Sequence, residues 1–302
     1  MRLTPYPSLS EAIQSLYGNY VTVTGRQRVS GGDCNDAYCL TLSDGQRLFM
    51  KSNDIQNTSF FRAEADGLFA IRDTGQIRTP GVLAYGTDRE SNTAFLLLEY
   101  IDQSAKGKNF FETFGQSLAN MHRADTAQLV PGGMRFGFYE DNIIGFRPQI
   151  NTPHGDWISF YRDCRIAPQV KDAVAAGLLP AEEERKAATL MEKLDRYLIE
   201  PEKPSLVHGD LWGGNYMTGE DGSPVIIDPA VYVGHREADL AMSQMFGGFP
   251  AAFYRSYAEA FPIEPGYEDR RPLYDLYQML NHLNQFGRTY LPAVQRILAR
   301  YA

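Results

Sequence analysis

The sequence predicts an α+β fold in two parts: a five-stranded antiparallel sheet carrying one helix over residues 1–101, and a mainly helical region over residues 102–302. Three observations lead there. An Asp44-Gly45 pair stands between alternating apolar segments, which is a strong hairpin signal. Past Ile101 the apolar positions recur at helical instead of strand spacing. Short apolar runs on either side of HGDLWGGN, residues 208–215, are too short for helices and read as small strands framing a loop.

In chain order, VTVTGRQRV (21–29) is the first strand, SGGDCND (30–36) a glycine turn, AYCLTL (37–42) the second strand and RLFMKS (47–52) the third. TSFFRAEADGLFAIRDTG follows as one helix of about four turns, capped at Thr58 or Ser59 and stopped at Gly75. VLAYGTD (82–88) and TAFLLLEYI (93–101) complete the sheet. The polar, glycine-containing stretch DQSAKGKN (102–109) is the expected boundary. Beyond it, Phe111, Phe114, Leu118 and Met121 share one helical face, as do Trp157, Phe160, Tyr161 and Cys164, and again Leu273, Leu276, Tyr277, Leu280 and Leu283. LVH (206–208) and PVIID (224–228) are the two short strands.

Composition narrows the function classes. With 29 basic against 37 acidic residues the net charge is -8, and no long basic run exists, so general nucleic-acid or anionic-membrane binding is disfavoured. The N-terminus has no basic region followed by an apolar core, and no eighteen apolar residues run together, so a cytoplasmic protein is expected. Cys34, Cys39 and Cys164 have neither disulfide-scaffold numbers nor metal spacing.

Asp210 and Asn215 fit D-x-x-x-x-N, a spacing in which the carboxylate orients a hydroxyl nucleophile and the amide oxygen ligates a metal. Asp228 ends the next apolar run as a second hard oxygen ligand suited to magnesium. Taken alone, Asp210 reads first as an ordinary turn or capping aspartate. Lys51 ends the third strand and Glu64 lies on the following helix, the arrangement in which a strand lysine contacts nucleotide phosphates and pairs with a helix glutamate. Gly31 and Gly32 offer backbone amides to phosphates, or form a plain hairpin turn. The carbonyl of Glu99 and the amide of Ile101, at the end of the last strand, are placed to read adenine.

HGDLWGGN, DPAVYVGHREADLAM (228–242), FGFYEDNIIGFRPQIN (136–151) and LYQMLNHLNQFG (276–287) together resemble the fructosamine kinase (ketosamine 3-kinase) family, within the protein-kinase-like and aminoglycoside-phosphotransferase-like superfamily. The resemblance covers nearly the whole chain and implies a bilobal protein-kinase-like fold. It also implies ATP- and Mg2+-dependent phosphorylation of the sugar O3' hydroxyl in a ketosamine, free or on a protein lysine, after which elimination of the phosphorylated sugar regenerates the amine. It makes Asp210 the catalytic base, Asn215 and Asp228 the magnesium ligands, and Lys51 with Glu64 the phosphate-contacting pair. One departure from the family stands out, and one contrast with protein kinases. Position 213 is Gly where the family usually carries Ser, which removes a hydroxyl near the phosphates. Pro229 and Ala230 follow Asp228 where protein kinases carry Phe-Gly, so activation by a swing of that segment is not expected. An aminoglycoside-type small-molecule kinase and a non-catalytic ATP-binding protein are the alternatives.

Asp239 is expected to support the loop by accepting its N–H groups, with His208 beside it. His235, Arg236 and Glu237 either line the acceptor site or cap the next helix. Trp212 either stacks on the sugar or packs in the core. His122, His154 and His282 lack metal spacing and are read as structural or surface residues. Cys34, in the glycine turn, is a candidate redox site that would link two chains in a disulfide homodimer, the monomer being the other expectation.

Overall fold

The computed structural model describes residues 3–29 and 35–302. The chain forms two compact units, one of residues 1–110 with 216–229 and one of residues 111–215 with 230–302. Neither unit is continuous in sequence.

The first unit is built on a sheet of β1 (Val23–Arg28), β2 (Asp36–Leu42), β3 (Arg47–Asp54), β4 (Val82–Asp88) and β5 (Thr93–Glu99). Its order is β1-β2-β3-β5-β4 and every pairing is antiparallel. Gly45, at φ 86°, makes the β2–β3 turn, as the Asp-Gly pair predicts. Because strand side chains alternate, Leu48 and Met50 of β3 face one side of the sheet with Phe95 and Leu97 of β5, while Phe49 faces the other with Ala94, Leu96 and Leu98. The second face is covered by α2 (Thr58–Asp73) through Phe61, Ala65 and Leu68. Lys51 has the parity of Phe49, which is how a strand lysine comes to face a helix glutamate.

Two expectations need correction here. The sheet carries a second helix, α1 (Leu9–Tyr17), whose Ala12 and Ile13 cover the other face. Its N-terminus is written in the sequence: the Ser8 hydroxyl accepts the N–H of Glu11, the S-x-x-E pattern of a capping box. In addition, α2 begins at Thr58 without a side-chain cap, because a 3-10 turn, Ile55–Asn57, leads into it and Asp54 caps that turn instead.

The first unit also contains the hairpin of Tyr216–Thr218 and Pro224–Ile226. Arg78 holds it: its carbonyl accepts the N–H of Ile226, and its guanidinium pairs with Glu220 on the hairpin and Glu99 at the end of β5.

The second unit is mainly helical. α3 (Phe110–Arg123) buries Phe114, Leu118 and Met121, and the helix Tyr267–Phe286 buries Leu273, Leu276, Tyr277, Leu280 and Leu283. The apolar face from Trp157 to Cys164 runs through a π turn, Arg162–Ile166. Pro168 explains it, since it has no N–H to give the Cys164 carbonyl, and the Arg165 guanidinium bonds that carbonyl at 2.9 Å instead. Two small antiparallel pairs complete the unit: β6 (Asn142–Ile144) with β7 (Arg147–Gln149), and Ser205–Val207 with Tyr232–Gly234. No described helix is long and apolar enough to cross a membrane.

Candidate active site

In the first unit Lys51, Glu64 and Asp228 converge. Lys51 is 7% exposed, and its Nζ donates to Glu64 Oε1 at 2.6 Å and Asp228 Oδ1 at 2.5 Å. Burial alone would lower the ammonium's pKa, but Asp228 and Glu64 outweigh it and raise it, so the lysine stays charged. Burial pushes the Glu64 carboxyl up, Asp228 adds to that, and Lys51 opposes both. Asp228 sits at φ 55°, a left-handed conformation that few non-glycine residues adopt and that short polar side chains tolerate best. This geometry leaves a cation and a carboxylate side by side, suited to hold a phosphate and its counter-ion. Glu99 ends β5 with its carboxylate committed to Arg78 and the Gly81 N–H, and Ile101 is buried just beyond.

In the second unit the backbone of HGDLWGGN is fixed from below. Asp239 is fully buried and accepts the N–H groups of His208 at 2.6 Å and Gly209 at 2.9 Å and the Nε2 of His122 at 3.1 Å. Burial works against its charge, yet the bonds from His122 and His208 hold its carboxyl below the usual carboxylate range. Gly209 stands at φ 84°, and a Cβ there would lie 2.0 Å from the Ala230 carbonyl oxygen, so only glycine fits. Asp210 follows, partly exposed. The Asn215 Nδ2 donates to its Oδ2 at 2.9 Å and to its carbonyl at 2.8 Å. With the amide nitrogen spent on the aspartate, Asn215 presents its oxygen, the atom a magnesium ion would take. Asp228 offers a carboxylate of the same hard character, so the donor types fit that ion.

The remaining candidates separate. Trp212 is 36% exposed and meets Phe246, 54% exposed, edge-on at 6.0 Å, with His282 5.4 Å from Phe246. It is therefore not a core tryptophan. His235, Arg236 and Glu237 lie in the interior and are engaged there. The His235 Nδ1 accepts the Glu237 N–H and so caps the next helix. Arg236 donates to the Phe261 and Pro262 carbonyls, and Glu237 forms a buried pair with Arg270. Gly31, Gly32 and Cys34 lie outside the described residues. Sequence reading missed His122 as the support of Asp239, and a lone histidine 117 residues away gives no signal for it.

Burial, with Arg236, Arg270 and His122 adding to it, pushes His235 down to about 3 from 6.5. Unfolding therefore takes up a proton between those values. Its stabilisation is complete above about 6.5 and is lost as pH falls, at about 1.4 kcal/mol per pH unit. Urea unfolding of His235→Asn, which keeps an acceptor for the Glu237 N–H, should show a stability–pH slope between pH 6 and pH 4 shallower than wild type by about one proton.

Similar proteins match most of the chain's length. The fructosamine kinase family model matches residues 5–302. A Synechocystis protein named probable ketoamine kinase is 38% identical over 296 residues, covering 97% of this chain and 96% of its own. A protein-ribulosamine 3-kinase, chloroplastic, of Oryza sativa subsp. indica is 38% identical, covering 94% of this chain and 80% of its own. A crystal structure from Haemophilus somnus, of a protein named for fructosamine-3-kinase activity, superposes with TM-score 0.86 at 28% identity, covering 97% and 96%. A macrolide 2'-phosphotransferase type I superposes with TM-score 0.63 at 14% identity, covering 97% and 95%, a likeness of fold. The fold is the α+β fold of protein-kinase-like phosphotransferases.

Proposed function

The chain belongs to the fructosamine kinase family, and from that premise we propose that it transfers the γ-phosphoryl group of ATP to the O3' hydroxyl of the sugar in a ketosamine, a ribulosamine or fructosamine adduct of an amine or protein lysine. Enolisation towards carbon 1 then expels inorganic phosphate from carbon 3, and water hydrolyses the resulting imine to release the amine and a dicarbonyl sugar. The observation that carries this reading is the family match over residues 5–302, which reaches every segment that holds a candidate side chain. A cytoplasmic setting, where ATP is available, belongs to the same proposal.

Each unit has its task. In the first, Lys51 neutralises charge on the nucleotide phosphates, Glu64 holds Lys51, and the main chain at Glu99 and Ile101 receives adenine. Gly31 and Gly32 supply amides to the phosphates. Asp228 is the magnesium ligand there, and Asn215 is the ligand offered by the second unit. Magnesium, when bound, neutralises the charge that develops on the transferred group. In the second unit Asp210 orients the sugar hydroxyl and accepts its proton late in an in-line displacement. Asp239, through the amides of His208 and Gly209, keeps that aspartate in place. Trp212, exposed two residues after Asp210, is the side chain assigned to the sugar face.

The purified protein, given ATP, magnesium and either fructose-lysine or ribulose-lysine, should yield a ketosamine phosphate by mass spectrometry, with an aminoglycoside as parallel acceptor. Phosphate on the aminoglycoside alone, or on no acceptor while ATP binds, would overturn the assignment.

A further inference from the structure

Residues 136–151 and 276–287 carry much of the family resemblance, yet no step of the reaction uses them. In the second unit they meet in a closed chain of buried hydrogen bonds. The Tyr277 hydroxyl donates to Gln149 Oε1 at 2.7 Å. The Gln149 Nε2 donates to Asn142 Oδ1 at 2.8 Å and to the Ala230 carbonyl at 2.9 Å. The Asn142 Nδ2 donates to the Val231 carbonyl at 2.7 Å. Gln149 is 2% exposed and uses both amide hydrogens and its oxygen. Burial pushes the Tyr277 phenol up, so it remains a donor.

The adjacent residue on the same helix acts on the neighbouring strand of backbone. The Gln278 Nε2 donates to the Gly209 carbonyl at 3.0 Å. Between the two points, the Ala230 N–H donates to the His208 carbonyl at 2.9 Å, and the Ala230 oxygen lies where a side chain on Gly209 would be. One helix thus fixes two backbone segments against each other, Ala230–Val231 through Gln149 and Gly209 directly. Asp210 is the next residue. Apolar residues of similar shape would leave the buried Ala230 and Val231 carbonyls without these donors, whereas the satisfied polar chain specifies one placement.

We propose that Gln149, held by Tyr277 and paired with Asn142 on the β6–β7 hairpin, is a positioning residue that fixes the Ala230–Val231 backbone and through it Gly209 and Asp210. The proposal rests on the role assigned to Asp210, and it gives the hairpin segment of the family a task in the reaction.

The test uses Gln149→Glu, which keeps the size and the acceptor for Tyr277 but has at most one hydrogen to give where Gln149 gives two, and Tyr277→Phe, which removes one hydroxyl. Both are assayed well below their unfolding temperatures. In Gln149→Glu, kcat with fructose-lysine should fall roughly tenfold or more while KM for ATP stays within about twofold, because a misplaced reacting group costs rate and not nucleotide binding. Tyr277→Phe should move kcat the same way by about threefold. Amide hydrogen exchange at Gly209 and Ala230 should quicken in both variants, with α3 unchanged. Wild-type kcat and exchange in both variants would overturn the proposal. So would an equal quickening across the whole second unit, which marks a purely structural role. If wild type itself does not phosphorylate a ketosamine, the functional reading fails, and the exchange at Gly209 and Ala230 still decides whether Gln149 fixes this backbone.

Discussion

Asp210→Asn should bind ATP as wild type does and phosphorylate a ketosamine roughly 10³-fold more slowly. The substitution is close to isosteric, and the new amide keeps an oxygen that can accept the Asn215 Nδ2 now 2.9 Å from Oδ2. The main chain is restrained as well: the Asp210 N–H donates to His208 Nδ1, and its carbonyl accepts from Trp212 and Asn215. These bonds hold the loop in the variant, and what is lost is the carboxylate to which the proposal gives the orienting and deprotonating of the sugar hydroxyl. Steady-state kcat measured alongside ATP titration calorimetry separates the two effects. A kcat within tenfold of wild type would remove Asp210 from the base role.

Lys51→Met should have the second largest effect, and it should appear in stability as well as rate. The substitution leaves Glu64 and Asp228 facing the place of a cation that both now bond. Breaking a buried pair by removing one partner costs about 3 kcal/mol, less the part that solvent relieves at half-open Asp228. Loss of the charge that the proposal sets against the phosphates should lower kcat/KM for ATP by roughly 10²-fold or more. Burial already raises the Glu64 carboxyl, and without Lys51 it rises further. Lowering the pH lets Glu64 take a proton, so the stability gap between variant and wild type should narrow as pH falls. A gap independent of pH, or ATP kinetics unchanged, would contradict the assignment.

Local chemistry made the first unit legible. Alternation and the Asp44-Gly45 turn set β1 to β5, and the same alternation put Lys51 on the face that α2 covers, so a pair 13 residues apart could be foreseen. α1 is equally legible, in the S-x-x-E spacing of Ser8 and Glu11. The hairpin of residues 216–229 is different. It joins the first unit because the Arg78 carbonyl and guanidinium reach across more than a hundred residues, and no composition shift marks that. The same holds for Tyr277 and Gln149, 128 residues apart. At His235, Arg236 and Glu237 the letters suggest an acceptor-site lining as readily as a helix cap. Their burial is decided by the Phe261 and Pro262 carbonyls and by Arg270, partners that only the folded chain supplies.

The position of the phosphate tests the central claim most directly. Product made from ATP and fructose-lysine should show, in a phosphorus–proton correlation spectrum, coupling of the phosphorus to the proton on carbon 3 of the sugar, and the amine should be released as that phosphate decays. Phosphorus coupled to another sugar carbon's proton, or a phosphorylated sugar from which no amine is released, would contradict it.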